Sequence, residues 1–218
     1  MGETAGALKS IASAQLVFWD FDGVIKDSVE AKSVAFELLF LPFGREIARR
    51  VRRHHEANGG VSRFDKIPLY LGWAGESVSR SKVREFCDRF SQLTLRAVID
   101  SPWVPGVREF IRENCLRQYF VLVTATPDED IREILEAIDI AACFREVHGA
   151  PRTKASAIAG TLKRLNYQPE SALMVGDAET DLAAARENSI PFLLRRTPLN
   201  KNLQARYAGP MFDNLSHG

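Results

Sequence analysis

Residues 16–23 read Leu-Val-Phe-Trp-Asp-Phe-Asp-Gly, and no other stretch of the 218-residue chain restricts its fold so strongly. Four large apolar residues in a row, stopped by two carboxylates and a glycine, predict a short strand buried on both faces, as the strands of parallel sheets are. Side chains two apart on an extended backbone point the same way, so Asp20 and Asp22 are expected to share a pocket at the carboxyl end of that strand. Gly23 lets the chain turn there. Two like charges this close repel, and a bound cation or a proton held by one of them relieves the repulsion. Asp-x-Asp-Gly also occurs in calcium loops. A helix-loop-helix calcium site, however, needs further oxygen ligands and a bidentate Glu near the loop's end, and here Val24 and Ile25 intrude.

Residues 27–101 read as helix throughout. Asp27 and Glu30, three apart ahead of Val34, Leu38 and Leu39, resemble an N-cap with its capping box. Pro42 and Gly44 break that helix, and a second runs through Ile47 and Val51 to the turn Asn58-Gly59-Gly60. A third passes Ile67, Pro68, Leu69 and Leu71, and a fourth runs from near Glu76 through Val83, Phe86, Phe90 and Leu93. After Ser101-Pro102-Trp103-Val104-Pro105-Gly106 the pattern changes to alternating strands and helices. Val107, Phe110 and Ile111 mark a helix, and Tyr119 to Val123 a buried strand ending at Thr124. Thr126 is read as the N-cap of the next helix, with Pro127 in its first turn, continuing through Ile131, Ile134, Leu135 and Ile138. A short strand lies near Val147, and a helix through Ile158, Leu162 and Leu165 stops at Asn166. Ala172 to Val175 is a strand ending in Gly176-Asp177, followed by a helix from about Asp181 to Asn188 and a strand from Phe192 to Leu194. The tail beyond Pro198 is expected to be surface loop with a short terminal turn.

The fold expected is therefore α/β: a doubly wound, Rossmann-like parallel sheet from residues 1–26 and 102–218, with an all-helical unit, 27–101, inserted after its first strand. Such sheets bind ligands at the carboxyl ends of the strands, where the order of winding reverses, and Asp20, Thr124 and Asp177 each fall at that end.

Composition removes several function classes. Apolar residues make up 45% and charged residues 26%, the balance of a globular domain, and a net charge of +1 argues against a nucleic-acid or membrane partner. Cys87, Cys115 and Cys143 are widely spaced with no Cys-x-x-Cys, which fits free thiols in a reducing compartment. The first fifteen residues lack the apolar run of a signal peptide and no segment has the length of a membrane span, so a cytoplasmic protein is expected. Arg45, Arg49, Arg50, Arg52 and Arg53 spread around a helix with no interleaved aromatic platform, which predicts a solvated face. Beside them, His54 or His55 is a lesser candidate for a substrate contact.

Four sequence-distant features remain: Asp20-x-Asp22-Gly23 after Leu16 to Trp19, Thr124 after Val121-Leu122-Val123, the lone Lys154 before a helix, and Gly176-Asp177 with Asp181 four residues on. In this order, from Leu16 to about Leu194, they resemble the motifs of the haloacid dehalogenase-like superfamily. The resemblance implies a Mg²⁺-dependent phosphatase acting on a small phosphorylated metabolite, a sugar phosphate or a phosphoglycolate-like compound, with the chain as monomer or homodimer. Phosphoryl transfer needs an in-line nucleophile and positive charge around three oxygens. By resemblance, Asp20 attacks phosphorus to form a phosphoaspartate, and Asp22 protonates the leaving oxygen and then takes a proton from water. Mg²⁺ is held by Asp20, the backbone carbonyl of Asp22 and Asp177, with Asp181 directly or through water. Lys154 neutralises Asp20 and the phosphoryl group, while Thr124, with Ala125, offers a hydroxyl and nearby backbone N–H groups. Asp181 also fits a plain N-cap, and both roles can hold.

Retention of Asp22 separates phosphatases and phosphomutases from the dehalogenases and phosphonate hydrolases of the superfamily. The helical insert resembles the family's mobile cap. Its turn, Asn58-Gly59-Gly60-Val61-Ser62-Arg63-Phe64-Asp65-Lys66, resembles the cap loop that reaches the substrate in phosphoglycolate-phosphatase-like and β-phosphoglucomutase-like members. Arg63 is the first candidate for a substrate contact there and Lys66 the second. Mutases of the β-phosphoglucomutase type carry an acidic residue where this chain has Gly176, which favours hydrolysis over transfer. A non-catalytic binding protein on the same scaffold is the third reading, opposed by the intact set of catalytic and metal-binding residue types.

Overall fold

The computed structural model describes residues 2–216. At its centre stands β1 (Leu16–Trp19), all four residues of which are fully buried. On one side it pairs with β2 (Tyr119–Pro127), which pairs with β3 (Glu146–Ala150). On the other it pairs with β4 (Ala172–Gly176), followed by β5 (Phe192–Arg195) and β6 (Met211–Phe212). The order is β3-β2-β1-β4-β5-β6 and every pairing is parallel, so the winding reverses between β1 and β4. Trp19 lies opposite both Leu122 and Val175, and the Asp20 N–H donates to the Val175 carbonyl at 2.9 Å. That register carries Asp20, Thr124 and Asp177 to one edge of the sheet.

The helices are α1 (Gly2–Ser13), α2 (Val29–Phe40), α3 (Arg45–Ala57), α4 (Arg63–Trp73), α5 (Arg80–Asp100), α6 (Val107–Asn114), α7 (Asp128–Ala137), α8 (Lys154–Leu165), α9 (Glu179–Glu187) and α10 (Lys201–Arg206). The period-two alternation of β1 divides the core between two faces. Val17 and Trp19 pack under α1, α6 and α7, whereas Leu16 and Phe18 pack under α8 and α9. Helices α2 to α5 form the insert after β1 and enclose an apolar cluster of their own, which includes Phe36, Phe40, Tyr70, Phe86 and Phe90. The rings of Phe36 and Phe90 lie 3.9 Å apart and Phe40 meets Tyr70 edge-on at 5.6 Å. Each buried side chain of this size contributes about 1.5–3 kcal/mol. That is why a small insert can hold its shape beside the sheet.

Several expectations are corrected in detail. Strand β2 does not stop at Thr124 but runs to Pro127, so the N-cap of α7 is Pro127 and not Thr126. Helix α2 is capped at Ser28, with no side-chain cap bond, while Asp27 turns to the Arg195 guanidinium at 2.5 Å in place of a capping box. Of the apolar run that marked this helix, Val34 and Leu38 are 38% and 51% exposed; Ser33, Ala35, Phe36, Leu39 and Phe40 are the buried set. A helix apolar on nearly every side gives periodicity little to choose between. Helix α5 begins after its N-cap Ser79 and not near Glu76, and its Leu93 is exposed. Asp181 is the third residue of α9 and not its N-cap. The tail adds α10 and the edge strand β6, and the N-terminal stretch forms α1, which packs Ala7 and Ile11 into the core. Asn166 does close α8 in the left-handed region, at φ 53°. Among the described residues no helix is long and apolar enough to cross a membrane, and the three cysteines are free thiols.

Candidate active site

Asp20 emerges from β1 and is 3% exposed, Asp177 follows β4, and Asp181 lies in the first turn of α9 and is wholly buried. One carboxylate oxygen from each can be chosen so that all three lie within 4.8 Å of one another. The Lys154 ammonium, at the start of α8, bridges two of them, 2.8 Å from Asp20 Oδ1 and 2.5 Å from Asp181 Oδ1. The second oxygen of Asp181 accepts the backbone N–H groups of Asp177 (3.2 Å) and Ala178 (2.9 Å), tying the turn after β4 to the helix that follows. Gly23 is required here. It has φ +78°, and a Cβ there would meet Asp177 Oδ2 at 2.2 Å.

One ammonium against three buried carboxylates leaves negative charge uncompensated. Burial pushes the Asp20 carboxyl up to about 7; the Lys154 charge opposes this, and Asp181 and Asp22 add to it. Asp177 is raised well above the usual range by burial and then by Asp20 and Asp181. Lys154 is held charged, since Asp181 and Asp20 outweigh the desolvation that would lower it. A compact, all-oxygen, electron-rich set of this kind fits a hard divalent cation such as Mg²⁺.

Asp22 is not part of that cluster through its carboxylate. Its oxygens accept from Ser28 Oγ (2.6 Å), from Thr126 Oγ1 (3.1 Å) and from the Lys32 ammonium, which also donates to Thr126 Oγ1 at 2.7 Å. Burial alone would raise Asp22, but the charge and hydrogen bond of Lys32 and the bonds from Ser28 and Thr126 outweigh it and hold the group below the usual range. Lys32, Ser28 and Thr126 were not singled out from the sequence. The available signal was Lys32 at three residues from Val29 and four from Phe36, which puts a cation on the buried face of α2.

A cavity of about 60 Å³ lies over these groups, walled by Asp20, Asp22, Thr124, Ala125 and Asp177 from the sheet edge and by Lys32, His55, Arg63 and Lys66 from the insert, with Val29, Phe36 and Phe90 between them. The expected residues of the insert thus do reach the site, but in unequal states. Arg63 is 5% exposed and its guanidinium is already engaged, with Asp130 of α7 at 2.9 Å and Ser91 at 2.5 Å, over the ring of Phe90. Burial lowers its pKa and Asp130 opposes that. Lys66 is 2% exposed and has His55 Nδ1, at 3.0 Å, as its hydrogen-bond partner. Burial, and then the Lys32 charge, pull it down to about 7. Of the basic run, Arg45, Arg49, Arg50 and Arg53 are exposed as expected, and Arg52 pairs with Glu30, Glu37 and Glu56. His54 leans on Tyr70 and Trp73, whereas His55 points inward.

Comparison with known proteins identifies the family. The family model of the haloacid dehalogenase-like hydrolases matches residues 14–188. The chain is 26% identical over 184 residues to a phosphoglycolate phosphatase of Pseudomonas putida, covering 79% of this chain and 65% of that protein. It is 28% identical over 182 residues to a phosphoglycolate phosphatase of Vibrio vulnificus, covering 79% of each. Among solved structures, CbbY from Rhodobacter sphaeroides, determined with xylulose-(1,5)bisphosphate, superposes with a TM-score of 0.73 at 15% identity, covering 93% of this chain and 95% of that one. Such a likeness shows the fold, and the family match carries the rest: the chain belongs to the haloacid dehalogenase-like hydrolases.

Proposed function

We propose that the protein is a Mg²⁺-dependent phosphatase that hydrolyses a small phosphorylated metabolite, of the phosphoglycolate kind, by way of a phosphoaspartate on Asp20. The observation that carries this reading is the juxtaposition of the Lys154-bridged carboxylates with the separately held Asp22 under one small cavity. Asp20, Asp177, Asp181 and the backbone carbonyl of Asp22 would hold the cation, which supplies positive charge to the phosphoryl oxygens when bound.

The protein groups divide the remaining work. An Asp20 carboxylate oxygen attacks phosphorus while the bond to the leaving oxygen breaks. An arriving phosphate dianion is a like charge beside Asp22 and raises its pKa, so Asp22 takes up a proton that it then gives to the leaving oxygen. In the second half, water attacks phosphorus, Asp22 accepts the proton, and the bond to Asp20 breaks to restore the free carboxylate. Lys154 neutralises Asp20 and the transferring group, and Thr124 and Ala125 line the phosphoryl oxygens' side of the cavity.

The phosphoglycolate phosphatases among the relatives support a short organic-acid phosphate as the substrate. The mutase reading is disfavoured locally, because a Cβ on Gly176 would meet Asp181 Cβ at 2.3 Å and leaves no room for an acidic side chain there. The test is phosphate release by the purified protein from 2-phosphoglycolate, sugar phosphates and p-nitrophenyl phosphate, with and without Mg²⁺. Metal-dependent release with 2-phosphoglycolate preferred is expected. No release from any member of the panel would remove the phosphatase reading.

A further inference from the structure

His55 is a buried polar side chain for which the chemistry above has no use. It is 7% exposed and forms part of the wall of the catalytic cavity. Its ring lies 4.8 Å from that of Phe36, which is itself held edge-on by Tyr70 and in tilted contact with Phe90, so the imidazole cannot turn freely. Nδ1 meets the Lys66 ammonium at 3.0 Å. When Lys66 is protonated its ammonium has protons to donate and no lone pair to accept with, so Nδ1 is then the acceptor and the ring proton resides on Nε2. Among the described residues, Nε2 has no hydrogen-bond partner. A buried donor without an acceptor is destabilising, and a substrate that brings an acceptor to this wall recovers that loss.

We infer that His55 is a specificity-determining residue whose Nε2–H, its tautomer set by Lys66 and its orientation by Phe36, donates to an oxygen at the non-reacting end of the substrate. The inference rests on the phosphatase reading for the word substrate, but the geometry of His55 does not depend on it. The chemistry names the ligand class. Burial and the Lys32 charge bring the Lys66 pKa down to about 7, and Lys66 has no carboxylate partner among the described residues, so an anionic oxygen beside this pair, such as a short-chain carboxylate, is the ligand that would hold it charged. Burial and the charges of Lys66 and Lys32 push the imidazole's own pKa well below its ordinary value, so His55 acts as a neutral donor that discriminates by direction, beside an ammonium that supplies charge. Arg63, being held by Asp130 and Ser91, is left as a wall of the site more than a reader of the ligand.

The test compares 2-phosphoglycolate with ethyl phosphate, which has the same length and no carboxylate, on the wild type, His55→Phe and His55→Gln. The ratio of kcat/KM for the two substrates should fall roughly 10- to 100-fold in His55→Phe, the scale of one hydrogen bond to a charged acceptor, mainly through KM for 2-phosphoglycolate. His55→Gln, which retains an N–H donor of similar reach, should recover part of that ratio. An unchanged ratio, or equal losses on both substrates, would overturn the assignment. If the wild type releases phosphate from neither compound, the phosphoglycolate-type substrate fails and His55 is judged by ¹⁵N-histidine NMR alone. There the ring should carry its proton on Nε2, and that signal should move on addition of 2-phosphoglycolate and not of ethyl phosphate. A proton on Nδ1, or no selective shift, would overturn the inference.

Discussion

Arg63 of α4 and Asp130 of α7 form an ion pair of 2.9 Å between the helical insert and a helix packed on the sheet, and Ser91 Oγ donates to the same Asp130 oxygen at 2.8 Å. The guanidinium side chain is 4% exposed and the carboxylate 18%. Removing one partner of so buried a pair leaves the other charge without compensation, at a cost of about 3–5 kcal/mol. Asp130→Ala should therefore lower the Tm by several degrees. The double variant Arg63→Met with Asp130→Leu, which removes both charges, should recover most of the loss. Thermal unfolding of the three proteins side by side is the check, and additive losses in the double variant would show that the two residues do not act as a pair.

The carboxylate cluster makes a prediction about pH. Asp20 has its pKa raised from 3.8 to about 7, and Asp177 is shifted in the same direction. Between those values the folded, metal-free protein holds protons that the unfolded chain has released. Their contribution to stability is therefore complete below about pH 4 and is lost as pH rises through about 7. Without divalent cation, Asp20→Asn should raise the Tm relative to wild type at pH 7.5 and do so much less at pH 5. Saturating Mg²⁺ should raise the wild-type Tm at pH 7.5 and shrink the difference between the two proteins. A pH-independent difference would mean that the cluster is already neutralised by the protein.

Lys32 sets the ionisation of Asp22 by direct contact, together with Ser28 and Thr126. Lys32→Met should let the Asp22 pKa rise, moving the limb of the kcat/KM profile that Asp22 controls to higher pH and lowering activity by roughly 10- to 100-fold. The pH profile is the discriminating measurement, because a lysine that only supported the fold would lower the rate without moving the limb.

The parts of this site that depend on strand ends were legible in the chain. A run such as Leu16 to Trp19 has few ways to be buried, and the residue after it must lie at the sheet's edge; the same reasoning placed Thr124 and Asp177. What the chain left open or hid depends on which way a helix faces. Lys32 and His55 sit on helices whose inner side is chosen by packing against other helices. His55 stands next to His54 in a basic run that is otherwise solvated, so nothing local distinguished the two. Thr126 followed the pattern of an N-cap closely, yet the pairing of Pro127 with Ala150 in β3 extends the strand past it and turns its hydroxyl toward Asp22. Strand β6 is two residues long and gains its place from β5, a long-range pairing that its sequence does not announce.

The proposed role of Asp20 as nucleophile is tested most directly by turnover of 2-phosphoglycolate by Asp20→Asn with saturating Mg²⁺. The substitution keeps the side chain's shape while removing the nucleophile, so kcat should fall by several orders of magnitude, on the order of 10³-fold or more, with the protein folded by circular dichroism. Turnover close to that of the wild type in the folded variant would contradict the account.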